Sequence, residues 1–343
     1  MSDIPTTMLA SVLTAKGVIS VQERPVPSIG ADQVLIKVSS VGVCGSDVHF
    51  FKEGTLGDWV VTEPLVLGHE SGGTIVAVGA GVPKTRIGQR VSIEPQRPCA
   101  TSKETLSGHY NLDPDMEFYA VPGVDGAFAE YVAIQSHFAF SVPDNLSDDA
   151  AALMEPLSVA IATARKAKFT IGTRVLITGS GPIGIVTAQV ARAYGATEII
   201  VTDLDPQRRA QALRFGATRV IDPAVEKVGT LGLNVDAFVE ASGASAAVKG
   251  GMREVGPSGH VVLVGMGDPE TLLPIPVIQR NELIVTGVFR YANTWPTAIE
   301  LVSSGRIDLD GMVTGHFCLR DVEKALESTS DPTTLKSIVK PGE

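Results

Sequence analysis

The sequence predicts a two-lobed α/β protein, with a β-rich first lobe followed by a doubly wound parallel sheet. Three observations carry that expectation. At 343 residues the chain exceeds what one hydrophobic core serves comfortably, at roughly 150 residues per domain. From Thr7 to Val142 short β-rich runs are separated by Gly and Pro. After Asp148 the texture changes to an Ala-rich helix, and then to strands alternating with helices at the spacing that parallel crossovers need. These changes divide the chain into residues 1–150, 151–290 and 291–343, the last returning to the first lobe.

In the first lobe, Val34–Val38, Gly73–Val78, Arg90–Ile93 and Ala129–Val132 read as strands. In the second, strands are expected at Arg174–Thr178, Glu198–Thr202, Thr218–Ile221, Ala237–Glu240, His260–Val264 and Leu283–Thr286, a set that suits a doubly wound sheet. The final segment predicts helices over Pro296–Ser304 and Asp321–Ser328 and a strand over Lys336–Val339.

Composition narrows the function. Apolar residues make up 44% and charged residues 19%, enough to bury a core, which excludes disorder as the main state. The net charge is −10 and no Lys/Arg-rich run is present, so nucleic acid and anionic membrane surfaces are excluded as partners. Cys44, Cys99 and Cys318 are too few and too widely spaced for a disulfide framework, which fits a reducing cytoplasm. Met1 to Ala10 lacks the basic start and apolar run of a secretory signal. The longest uncharged stretch, between Arg174 and Arg192, is interrupted by Thr178-Gly179-Ser180-Gly181-Pro182 and reads as strand, turn and helix rather than a membrane span.

That same stretch carries a dinucleotide loop, Gly179-Ser180-Gly181-Pro182-Ile183-Gly184, in the strand, loop and helix context the fingerprint requires. Gly179 permits the tight turn, Gly181 lets a pyrophosphate approach the backbone, and Gly184 lets helix and strand pack closely. The next strand ends at Asp203, 19 residues after Gly184. A carboxylate there accepts from both ribose hydroxyls and repels a 2′-phosphate, so the expected cofactor is NAD. Arg208 and Arg209 complicate that choice, since they could face a 2′-phosphate, touch adenosine or be solvated.

In the β-rich lobe, Cys44-Gly45-Ser46-Asp47-Val48-His49 is followed by Gly68-His69-Glu70, and Glu155 stands at the lobe junction. Taken singly, these residues read as a buried thiol, a turn histidine and ordinary carboxylates. Grouped beside a nicotinamide-binding half, they are the residue types of a catalytic zinc site with one open position. Such a cation makes an alcohol easier to deprotonate before hydride leaves for NAD. Ser46 and His49 could relay the released proton outward, or be a turn hydroxyl and a surface histidine. Adjacent residues on an extended strand face opposite ways, so His69 and Glu70 both ligate only if the chain bends. Glu155 is the alternative to Glu70.

Together with Glu94-Pro95, Glu155-Pro156-Leu157-Ser158-Val159 and Phe289-Arg290-Tyr291-Ala292-Asn293-Thr294-Trp295, these motifs resemble the zinc-dependent medium-chain dehydrogenases, nearest their polyol branch of sorbitol and xylitol dehydrogenases. The resemblance covers essentially the whole chain. It implies a GroES-like β-barrel catalytic domain with an inserted Rossmann domain, assembled as a homotetramer. It implies zinc held by Cys44, His69 and Glu70, with Glu155 close by as a ligand or through a water, and counts Glu155 with Ser46 and His49 among the catalytic residues. It places Ser46, Phe50, Phe118, Glu155, Arg290 and Tyr291 around a polyol. It places Ile183, Asp203, Arg208, Val264, Met266, Val288 and Arg290 against NAD, beside Gly179, Gly181, Pro182 and Gly184. The implied reaction is reversible oxidation of the C2 hydroxyl of sorbitol or xylitol. A different secondary alcohol (another pentitol or hexitol, butanediol, threonine) is the runner-up, and a noncatalytic NAD(H)-binding sensor the rival from another class. One departure stands out. Many members hold a second, structural zinc with four cysteines, and the matching positions here are Cys99, Ser102, Thr105 and Asp113. That donor set does not suit a structural zinc, so one zinc per subunit is expected.

Overall fold

A computed structural model describes residues 4–343; the first three positions of the stretch read for a signal lie outside the described residues. The chain divides into two units, one running to Glu155 and resuming at Leu309–Glu343, the other Pro156–Asp308. The second boundary falls at 308/309 rather than 290/291. Two anchors explain the shift: Arg165 donates to the Ala292 and Asn293 carbonyls at 3.2 and 3.0 Å, and the Gln189 side chain pairs with the Asp308 backbone, so the helix Trp295–Ser303 between them stays in the second unit.

The first unit is organised by the strand Gln33–Gly42, rich in β-branched residues and paired antiparallel with Glu70–Val78, Tyr131–Gln135 and Lys336–Lys340. The seven-stranded sheet continues through Arg90–Ile93 and Ala139–Ser141 on one side and Val313–Cys318 on the other. Val34, Ile36 and Val38 face a core shared with Val12, Ile75, Val91 and Phe128. The C-terminal strand is pinned by Asp149, whose carboxylate accepts from Ser40, His316 and Lys340. A helix, Gly45–Glu53, interrupts the strands of this unit just after Cys44. It had no counterpart in the β-dominated reading, because its nine residues contain only a short apolar stripe.

In the second unit six parallel strands lie in the order Arg219–Ile221, Glu198–Thr202, Arg174–Thr178, Val235–Glu240, Val255–Leu263 and Ile284–Gly287. Numbered along the chain this is the 3-2-1-4-5-6 order of a doubly wound sheet. Its switch point lies between Arg174–Thr178 and Val235–Glu240, where such sheets bind nucleotides beyond the carboxyl ends of the strands. Arg174–Thr178 and Glu198–Thr202 match their expected spans, while the fifth strand starts earlier, at Val255, and includes the irregular Gly256-Pro257-Ser258-Gly259.

Candidate active site

Cys44 stands at the N-cap of Gly45–Glu53. Asp47, fully buried one turn on, organises what surrounds it. One carboxylate oxygen accepts from the Cys44 N–H at 3.0 Å; the other accepts from the Gly68 N–H at 2.9 Å and lies 3.6 Å from His69 Nδ1. Burial presses His69 toward its neutral form, but Asp47 and Cys44 more than offset that, and its pKa sits well above the ordinary value. A carboxylate beside one imidazole nitrogen orients the other outward, the arrangement that typically fixes a metal-binding histidine.

The bend that His69 and Glu70 require is present. Gly68 has φ +88°, His69 precedes the strand Glu70–Val78, and the two side chains turn to the same side. Sulfur, imidazole nitrogen and carboxylate oxygen of Cys44, His69 and Glu70 lie within 4.8 Å of one another. Metal–ligand bonds of about 2.0–2.3 Å place tetrahedral ligands roughly 3.3–3.8 Å apart. Small side-chain adjustments therefore close this set on a zinc ion, and its N, S and O donors suit that ion. Glu155, in the first turn of Met154–Lys166 and buried, is outside the set, though its charge is felt by both Glu94 and Lys336.

Two further residues complete the site; the sequence offered Lys336 only as the start of a strand and Glu94 only as part of the Glu94-Pro95 motif, with no role for either. Lys336 is buried and donates to both oxygens of Glu70 and to the Val43 carbonyl at 2.9 Å. Glu94 accepts from Tyr110 Oη at 2.7 Å and Gln96 Nε2 at 2.9 Å, and burial pushes its carboxyl up to about 7. Of the other expected side chains, Phe118 packs its ring 5.5 Å from that of His69. Ser46 is half-buried and His49 exposed, both on the helix after Cys44. Phe50 is buried within the core cluster.

In the second unit, Gly179 has φ +85°, and a side chain on Gly184 would collide with the Gly179 carbonyl. Gly181 caps the helix Pro182–Ala193, whose Pro182 and half-buried Ile183 form its first turn. Asp203 accepts from the Ser180 N–H and hydroxyl at 2.8 and 3.0 Å and from the Asp205 N–H at 2.9 Å, so its carboxylate is fixed beside the glycine loop. The arginines separate cleanly. Arg209 is spent on the Asp203 and Leu204 carbonyls and on Asp222, whereas the Arg208 guanidinium lies over Gly181. Val264 and Val288 continue the carboxyl ends of their strands, with Met266 exposed beyond them. Arg290 adopts a left-handed backbone with its guanidinium over Phe289, and Tyr291 is buried against Trp295.

Residues 30–144 match the family described as alcohol dehydrogenase GroES-like domain, and residues 182–304 the family described as zinc-binding dehydrogenase. A sorbitol dehydrogenase from Bacillus subtilis is 40% identical over 331 residues, 94% of each chain. The Homo sapiens sorbitol dehydrogenase is 37% identical, covering 97% of this chain and 95% of its own. The solved structure of an Escherichia coli oxidoreductase/dehydrogenase of unknown specificity superposes with a TM-score of 0.93 at 35% identity, covering 97% of this chain and 99% of that one. The chain is a zinc-binding dehydrogenase. Its first unit is the GroES-like domain and its second the Rossmann-like, NAD(P)-binding one.

This zinc-binding dehydrogenase holds the loop that carries Cys99 by hydrogen bonds. Ser102 caps the short helix Lys103–Leu106 and bonds the Thr105 hydroxyl at 3.0 Å, while Asp113 accepts from the Cys99 N–H. Cys99 with Asp113 and Ser102 with Thr105 are thus paired, and Tyr110 ties the loop to Glu94.

Proposed function

We propose that this zinc-binding dehydrogenase oxidises the C2 hydroxyl of a polyol, sorbitol or xylitol, to the ketose with NAD, reversibly. One observation carries the reading: Cys44, His69 and Glu70 converge within 4.8 Å in a chain 37–40% identical to sorbitol dehydrogenases. Zinc bound by these residues, with Glu155 alongside, supplies the Lewis acidity that makes a secondary hydroxyl easier to deprotonate. Ser46 relays the hydroxyl proton, giving up its own toward His49 as it accepts, and His49, exposed on the next turn, passes it to solvent. Phe118 walls the carbon chain, and Glu155 accepts from neighbouring hydroxyls, the polarity a polyol needs. Asp203, already turned toward the glycine loop, receives the adenosine ribose and selects NAD over NADP, and Arg208 offsets pyrophosphate charge at the helix N-terminus.

The hydrogen-bonded Cys99 loop supports one zinc per subunit. The edge strand Ile284–Gly287, with Ile284 exposed, supports self-association into the homotetramer. Three free cysteines, and no helix among the described residues long and apolar enough to cross a membrane, are compatible with a cytoplasmic enzyme. A polyol panel read by NADH absorbance tests the activity, with sorbitol and xylitol the expected leaders; no turnover of any polyol overturns it. Metal analysis after dialysis should return one zinc per chain, and light scattering a tetramer.

A further inference from the structure

Lys336 reaches the metal-ligand cluster from the far end of the chain, 266 residues beyond Glu70. It opens the strand Lys336–Lys340, which pairs with the end of Gln33–Gly42 through Ile338 opposite Gly42. Its side chain is only 3% exposed, and its ammonium has three donors. All three are spent, on the two Glu70 oxygens and the Val43 carbonyl. The carboxylate fits there because position 42 is glycine: a Cβ would collide with Glu70 Oε2. Glu70 is thus claimed from two sides, by Lys336 and by whatever cation joins it to Cys44 and His69.

We propose that Lys336 is a positioning residue that shares the Glu70 carboxylate with the metal. It keeps the metal-free site folded and holds zinc affinity below what the three ligands alone would reach. The physical basis is charge. The metal-bound Cys44 sulfur and the carboxylates of Glu70, Glu155 and Asp47 bring more negative charge to the site than a dication offsets, and the Lys336 ammonium offsets part of the excess. Removing Lys336 leaves a larger negative excess next to the metal. A buried unit charge a few ångström away changes cation affinity by well over tenfold even at an effective dielectric constant of about 20. Without metal the same removal strands the Glu70 carboxylate in a dry site, which is strongly destabilising, whereas neutralising both partners is far milder.

The inference rests on Cys44, His69 and Glu70 being the zinc ligands but not on the substrate. It is tested with Lys336→Met and with the double variant Glu70→Gln/Lys336→Met in the full-length protein. The readouts are zinc release to excess chelator and melting temperature with and without zinc. For Lys336→Met, zinc release should slow about tenfold or more, and the metal-free protein should melt roughly 5 °C or more below wild type while zinc restores most of that loss. The double variant should regain metal-free stability and lose the tightened zinc. Should Lys336→Met fail to fold, folding of the double variant alone still supports the pairing; failure of both, or zinc release from Lys336→Met as fast as wild type, overturns it. A polyol assay run alongside separates the two readings, since absent polyol oxidation with these zinc responses intact refutes only the substrate. Wild-type protein that holds no zinc refutes both.

Discussion

Replacing Glu94 with Gln should stabilise this protein at neutral and alkaline pH and leave it nearly unchanged in mild acid. Glu94 is fully buried; one oxygen receives Tyr110 and Gln96, and the other has no hydrogen-bond partner among the described residues. Burial, the largest influence, raises the carboxyl from an ordinary 4.5 to about 7, against the lowering by those two donors. The folded state therefore keeps a proton that the unfolded chain releases near 4.5. Between that pH and about 7 the unfolded state binds fewer protons, so stability falls as pH rises, and the fall stops once the folded carboxyl ionises. At about 1.36 kcal/mol per tenfold change in proton affinity, the full loss is on the order of 3 kcal/mol. Glutamine is isosteric, retains the acceptor for Tyr110 and Gln96, and never ionises. Thermal unfolding at pH 5 should show the variant and wild type within about 1 kcal/mol, and at pH 8 the variant ahead by about 3 kcal/mol. At about 2–4 °C per kcal/mol for a unit of this size, the gap is readily measured. A displacement of equal size at both pH values, or a wild type more stable at pH 8, would refute the reasoning.

Other outcomes follow from the same geometry. Cys44→Ser should lose zinc in metal analysis and lose turnover beyond the about 10–100-fold cost of disturbing a ligand's neighbour; zinc-free turnover would contradict the site. Asp47→Asn leaves the ligands in place but removes the charge facing His69, so zinc affinity measured by competition with a chelator should weaken by about 10–100-fold. Asp203→Ala should cut the NAD over NADP preference in kcat/KM by about tenfold or more, equivalent to about 1.4 kcal/mol, with Arg208 left to receive a 2′-phosphate; an unchanged ratio would remove Asp203 from ribose recognition.

Much of this site was legible before any coordinates. The glycine loop is local: Gly179, Gly181 and Gly184 act within one strand, turn and helix, and the carboxylate that answers them lies one crossover away at Asp203. Cys44, His69 and Glu70 were visible as residue types, yet their convergence depended on a backbone bend at Gly68 that spacing permits without requiring. Asp47 was visible only as an acid three residues after Cys44, and its place between Cys44, Gly68 and His69 is what gives it a role. The helix Gly45–Glu53 escaped notice because a nine-residue element without a strong apolar stripe looks like turn.

Residue order was sufficient for the two-unit α/β plan, the nucleotide loop and the donor types of the metal site, because each is written in short-range periodicity and spacing. Three things awaited the folded chain. The turn at Gly68 brings Glu70 rather than Glu155 in beside Cys44 and His69; Lys336 arrives on that same carboxylate from 266 residues away; and burial lifts Glu94 to about 7. Each depends on pairing between distant strands and on exclusion of water, and no stretch of neighbouring residues encodes either.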